Sequence, residues 1–384
     1  MVVGLLTVGV FAMAWRLARP AEGLLVRCGI AALVLGVGTE QWSGRPLLIG
    51  LIALGATMLA ADGELDPRWL IPIGWVWVNS HGSFPLGIAY LVVVALGRRL
   101  DRQDPSVELR CLRWLVGGTV LGAVNPLGPR LLLFPVELLQ RMDVLRNVIE
   151  WQAPRFTAIS ERVFLLELAL AILAVARRPT YRTALIVTVF VVAALLGARN
   201  VAVASLVLVP VLASAWSQVG ELRGSARTSA ARVLGLVGLV GVVLVPVVRL
   251  GQPDVAFGPY PTRSLAFLDH HGVDLGTVRL ASIDRVGNLL ELQHGAGHRV
   301  FFDDRFDMFP DRVSADAFAL SVGRPSSLAI LDRYGIDLAL WPKDAALTAI
   351  LGASSTWRAL PRQDAAWTLL CRRGVTLSAS LGRC

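Results

Sequence analysis

Three short stretches place side chains capable of chemistry next to apolar sequence. The first, Asn79-Ser80-His81-Gly82-Ser83-Phe84-Pro85, sets an amide, two hydroxyls and an imidazole within the apolar run 69–97. Polar groups in such a run need partners or a water-filled cavity. Asn79 and His81 therefore either face a substrate or hydrogen-bond a neighbouring helix and steady a kink at Gly82 and Pro85. The second, Arg199-Asn200, lies between two apolar runs. A guanidinium there pairs bidentately with phosphate oxygens or snorkels to lipid head groups. The third is Glu150-Trp151-Gln152-Ala153-Pro154-Arg155. Glu150, Arg155 and the nearby Arg146 either shape the mouth of a lipid-substrate site or form a solvated face with Trp151 as an interfacial anchor.

Composition says what must position these residues. The 384 residues are 55% hydrophobic and 17% charged, with a mean hydropathy of +0.61. Soluble domains carry about 25% charged residues, so a wholly soluble globular protein is excluded. Disordered, collagen-like and disulfide-scaffold classes are excluded too. The net charge of +9 does not indicate nucleic acid, because the excess is arginine placed between apolar runs. Those runs are 1–15, 24–38, 47–61, 69–97, 114–125, 163–176, 184–198, 201–216 and 233–248. They predict an α-helical polytopic membrane bundle of about nine transmembrane segments, although several fall short of about 20 residues. The first run lacks the basic start and cleavage site of a signal peptide. Glu167 sits inside a run, where an acid is expensive, and is expected to pair with an arginine or a helix end.

Charge also divides the chain. Past residue 250 there are 14 basic and 14 acidic residues, leaving 23 and 14 before it; four of the five histidines also lie past it. Residues 1–250 read as a transmembrane helical domain and 251–384 as a small extracytoplasmic α/β domain, joined through Gly251, Pro253, Gly258, Pro259 and Pro261. Arginines in 98–113, 177–182 and 217–232 place those segments in the cytoplasm. Residues 184–216 must then form a hairpin with Arg199-Asn200 at its outer tip. The segment 126–162 and the acidic loop of Asp62, Glu64 and Asp66 fall outside, and so, against the rule, do Arg16, Arg19 and Arg27. After the turn signal Asn125-Pro126-Leu127-Gly128, apolar residues recur at helical spacing from Leu131 to Ile149, an amphipathic helix for the outer interface.

In the second domain, helices are expected at 261–271, 285–293, 326–334 and 345–351, with strands at 277–281, 298–302, 338–341 and 366–371. Asp303, Asp304, Arg305 and Asp307 follow one such strand and either bind a divalent cation or make a salt-bridged turn. His270, His271, His294 and His298 lack metal-site spacing. Cys371 and Cys384 can pair outside the cell. There is no Walker loop, dinucleotide fingerprint or nucleophile elbow.

Taken in order, several pieces resemble a bacterial family of polytopic proteins near the glycosyltransferase C superfamily. They are Arg45-Pro46, Trp77 to Phe84, Asn125 to Gly128, Glu150-Trp151, Ala198-Arg199-Asn200, Val300 to Arg305, and Arg333 to Asp337 with Leu340-Trp341-Pro342. The resemblance implies an integral protein of the bacterial cytoplasmic membrane, acting in the cell envelope. It implies sugar transfer from a polyprenyl-phosphate donor on the outer face. An acid would deprotonate the acceptor hydroxyl and arginine would hold the donor phosphate. On that reading Asn79, His81, Glu150, Arg155, Arg199 and Asn200 bind substrate, and Asp62, Glu64 and Asp66 are the catalytic candidates. A divalent cation at the phosphate has no clear ligand set. The superfamily's first-loop acid has no counterpart, as if the chain starts a few helices late, and its aromatic-Gly-Gly turn here reads Asp284-Arg285-Val286-Gly287. The alternative is a truncated or non-catalytic accessory or lipid-handling membrane protein with an envelope protein partner.

Overall fold

A computed structural model describes residues 2–42, 46–145, 148–177, 179–216, 260–295, 300–306, 308–361 and 363–384. The run 233–248, the arginines of 217–232, the linker residues before Tyr260, and Arg45, Arg146, His298 and Asp307 lie outside the described residues. The chain divides into two compact units, one within Met1–Gln140 and Val148–Gly251, the other within Arg141–Asn147 and Gln252–Cys384.

The first unit is helical. Its helices are α1 (Val2–Leu17), α2 (Leu24–Gln41), α3 (Leu47–Ala61), α4 (Leu70–Ser80), α5 (Pro85–Leu100), α6 (Ser106–Leu121), α7 (Arg130–Gln140), α9 (Ile159–Arg177), α10 (Tyr181–Leu196) and α11 (Val201–Ala215). The short α8 (Met142–Leu145) belongs to the second unit. Helices α3 and α11 are the inner ones, buried along most of their length and built from Leu, Val, Ala and Gly. Small residues also let α4 and α6 touch backbone to backbone: a Cβ on Gly118 would lie 2.4 Å from the Ile71 carbonyl oxygen. Among the described residues one stretch, Ala198–Ala215, is long and apolar enough to cross a membrane alone, and 72% of it is buried within the molecule.

The path of the chain differs from expectation at one point. The apolar run 69–97 is not a kinked single span but two helices joined by a turn at 81–84. His81 is extended at φ −156°, and Pro85 opens α5 at a position where its missing N–H is harmless. The turn packs on Gly50, near the start of α3. At the other end of α3, Asp62 pairs with Arg182 at 3.3 Å. Asp101, at the end of α5, accepts from the backbone N–H groups of Tyr181 and Arg182 at 2.8 and 2.9 Å. The chain therefore leaves that end after α3 and returns to it after α5. This one extra reversal corrects the topology of everything before it. The loop of Asp62, Glu64 and Asp66 joins the 98–113 and 177–182 arginines instead of opposing them. Arg16 and Arg19 reach Glu64 at the same end, which removes the anomaly in the arginine pattern. The hairpin of α10 and α11 turns at Gly197–Asn200, as the arginine spacing required.

The amphipathic helix at 131–149 is interrupted. It ends at Gln140, and Arg141 donates to the Phe309 carbonyl at 2.6 Å and to Asp311. Glu167 is fully buried and accepts from the Ser205 hydroxyl at 2.8 Å, so its partner is not an arginine or a helix end.

The second unit holds a four-stranded mixed sheet, ordered β1 (Leu280–Ser282), β2 (Leu338–Pro342), β4 (Trp367–Arg372), β3 (Trp357–Ala359). β1 and β2 run parallel and the others antiparallel. Around it lie α12 (Thr262–His270), α13 (Asp284–His294), α14 (Asp311–Ser321), α15 (Ser327–Arg333) and α16 (Ala346–Ala353). Gly272 and Gly335, at φ 66° and 59°, stop α12 and α15 in the left-handed conformation that favours glycine. The strand expected at 298–302 is absent from its described residues: Val300–Phe302 is irregular. Phe302 instead enters an aromatic cluster with Phe306, Phe309 and Phe318. Two short strands, β5 (Thr376–Ser378) and β6 (Gly382–Arg383), close the chain, and a Cys371–Cys384 disulfide ties it back to β4.

Candidate functional site

The turn between α4 and α5 holds a chain of three polar side chains. The Trp77 indole N–H donates to Ser83 Oγ at 3.0 Å, and Ser83 Oγ lies 2.7 Å from His81 Nδ1. The Ser83 backbone N–H also donates to Nδ1, at 3.2 Å. Gly50 makes room for this group, since a Cβ there would lie 2.6 Å from Ser83 Oγ. Phe134 of α7 covers the turn at Gly82. Burial, and second to it the positive charge of Arg199, lower the His81 pKa from 6.5 to about 4. His81 is therefore neutral at pH 7 and within electrostatic range of the α10–α11 tip.

That tip is fixed by one backbone and one side-chain hydrogen bond. The Ala198 N–H donates to the Gln152 carbonyl at 2.9 Å, and the Asn200 amide donates to the Ala193 carbonyl at 2.9 Å. The Arg199 guanidinium lies 4.1 Å from the centre of the Trp151 ring. A cation over an indole is held by about 0.5–2 kcal/mol, depending on its solvation. Glu150 shares a 3-10 turn with Trp151 and is exposed. Arg155 donates to Gln152 Oε1 at 2.9 Å. The structure thus gathers His81, Glu150, Trp151, Arg155, Arg199 and Asn200 at one end of the bundle. Asn200 is there as a cap, and Asn79 as a brace. The Asn79 amide donates to the Trp75 carbonyl at 2.8 Å and the Gly122 carbonyl at 3.4 Å, where Asn125 also donates.

Asp62, Glu64 and Asp66 do not join this group. They lie at the opposite end of α3, and each has a structural task. Asp62 pairs with Arg182, Glu64 with Arg16 and Arg19, and Asp66 accepts the Arg68 N–H at 2.9 Å to cap a 3-10 turn. A general base needs to reach the reacting hydroxyl, directly or through one water. The helix α3, about 22 Å long for its 15 residues, runs from the end packed on the 81–84 turn to the end that carries these acids. A cavity of about 400 Å³ at their end is lined by Arg19, Asp62, Arg98, Asp101 and Arg182. Its arginines are paired in turn, Arg98 with the buried Glu108.

In the second unit Arg305 donates to the buried Asp303 and pairs with Glu291, so Asp303 belongs to a salt-bridged turn. Among the described residues no three His, Cys, Asp or Glu side chains converge as a metal site. Residue type alone showed the Ser83 hydroxyl but not its link to His81, and it did not reveal Trp77 or Gly50 as contributors. Ser83 stood two residues from His81, but Gly50 carries no local signal. No protein-family model matches this chain, and no curated protein matches it closely enough to count as a relative.

Proposed function

We propose that helices α1 to α7 and α9 to α11 of the first unit are embedded in a bilayer and bind a lipid-linked phosphate through Arg199 at the outer end. The observation that carries this reading is the guanidinium of Arg199 stacked on Trp151, at the end of the bundle where His81 lies within its electrostatic range. Arginine matches phosphate oxygens in a two-pronged geometry, and the indole pre-orients it. The membrane setting is supported by the surface. Among the described residues, every exposed large apolar side chain except Leu292, Met308 and Val322 lies before residue 200. Many stand outward on helices, such as Val92 and Leu96 on α5, and Leu166 and Leu173 on α9. A soluble protein does not present so much apolar surface. Arg16, Arg19, Arg98, Arg99, Arg102 and Arg182 gather at the other end, which the arginine rule makes cytoplasmic. The disulfide in the second unit suits an oxidising compartment, hence export of that unit.

The ligand class is a polyprenyl phosphate or its sugar-bearing form, as the family resemblance implies. The structural tasks of Asp62, Glu64 and Asp66 favour the lipid-handling form of this reading. Sugar transfer is the second form, and Glu150 beside Trp151 is then the acid placed to serve as base. The test is polyprenyl-phosphate binding to purified protein in micelles, read by tryptophan fluorescence, beside Arg199→Ala. Loss of a charge-assisted contact predicts about tenfold weaker binding or more in the variant. Equal binding by both proteins overturns the reading. Radiolabelled sugar transfer in membranes separates its two forms: transfer abolished by Glu150→Gln supports the enzyme, and no transfer supports lipid handling.

A further inference from the structure

The hydrogen-bond chain in the 81–84 turn fixes more than the position of the imidazole. Trp77 Nε1 has a hydrogen and no acceptor, so Ser83 Oγ must accept from it. The hydroxyl keeps one hydrogen and a second lone pair, so its contact with His81 Nδ1 alone fits either direction, and a donor-only neighbour of that nitrogen decides between them. The Ser83 backbone N–H is aimed at the same nitrogen. A nitrogen that accepts two donors carries no proton. A neutral imidazole then bears its proton on Nε2. Resting on the reading of Arg199 as the phosphate ligand, we propose that Ser83 and Trp77 lock His81 as the Nε2–H tautomer, which donates a second hydrogen bond to the same phosphate.

The three residues divide the work. Trp77 is 1% exposed and held by packing, so it fixes the direction of the Ser83 hydroxyl. Ser83 turns that direction into a proton position on His81. Gly50 keeps the group closed from the α3 side. The phosphate meets one cation, Arg199, and one neutral N–H donor, His81. Ser83 and Trp77 act through His81 and are positioning residues.

The tautomer is measured directly. Protein labelled with ¹⁵N-histidine in micelles, without ligand at pH 7, is expected to give the ¹⁵N pattern of a neutral Nε2–H imidazole for one histidine. That signal is assigned by its loss in His81→Gln. Ser83→Ala should give mixed tautomers and weaken polyprenyl-phosphate binding about three- to tenfold. Ser83→Thr, which keeps the hydroxyl, should restore both. Trp77→Phe, which leaves Ser83 free to turn, should also mix the tautomers. An Nδ1–H or charged imidazole in the wild type overturns the assignment, and so does a Ser83→Ala protein with unchanged tautomer. A locked Nε2–H imidazole in a protein whose binding is indifferent to Arg199→Ala overturns the phosphate role alone and leaves the tautomer standing.

Discussion

A histidine kept neutral withholds a proton site from the folded state. Its ordinary pKa of 6.5 falls to about 4 at His81 through burial and the charge of Arg199. Between those values the unfolded chain takes up a proton that the folded chain refuses, so folded stability declines as the pH drops. The contribution of the site is complete above 6.5 and lost as the pH falls to about 4. It amounts to roughly 3 kcal/mol at most. The melting temperature of the purified protein should fall across this window, and His81→Gln should flatten that fall. Identical pH profiles for the two proteins would contradict the account. Residue types alone made His81, Arg199 and Trp151 visible, because polar groups in apolar sequence are expensive. They did not reveal which polar groups were already occupied. Asp62 is taken by Arg182 and Asn79 by the Gly122 carbonyl, partners 120 and 43 residues away. Such distances leave no local pattern.

At the scale of elements, glycine spacing decides how closely helices approach. Gly118 of α6 faces the Leu70 and Ile71 carbonyls of α4, and a methyl group there has no space. Gly118→Ala should destabilise the bundle by about 1–3 kcal/mol, the range for overpacking a tight contact. Gly117→Ala is the control, since a Cβ at Gly117 meets nothing within 4 Å. It should be neutral or stabilising by up to about 1 kcal/mol through helix propensity. Thermal melts of both variants check this, and equal losses would contradict it. The same scale explains what was legible. Apolar periodicity located α3, α10 and α11 closely, and Gly272 and Gly335 marked real helix ends. Periodicity gave no sign that the break at Gly82 is a reversal and not a kink. That depends on Gly50, Trp77 and Ser83 meeting across two helices. The irregular segment at Val300–Phe302 was equally hidden, because its aromatic residues look like a buried strand, whereas Phe301 packs on Tyr334 and Phe302 on Phe306 and Phe318.

For the whole molecule, the reversal at 81–84 fixes which groups share an end of the bundle. With it, Asp62, Glu64 and Asp66 lie with the arginine-rich loops, and His81 and Arg199 lie opposite. The charge pattern then has a single sense, with Arg16 and Arg19 no longer exceptions. The proposed phosphate ligand Arg199 and the acids of the 62–66 loop lie at opposite ends of the bundle, which favours the lipid-handling form of the proposal. Single cysteines at positions 66, 103 and 155 test this arrangement, in a chain with Cys28 and Cys111 replaced and the 371–384 disulfide kept. The readout is labelling by a membrane-impermeant maleimide in intact cells. Labelling is expected at 155 from outside, and at 66 and 103 only after the membrane is opened. Labelling at both 66 and 155 in intact cells would contradict it.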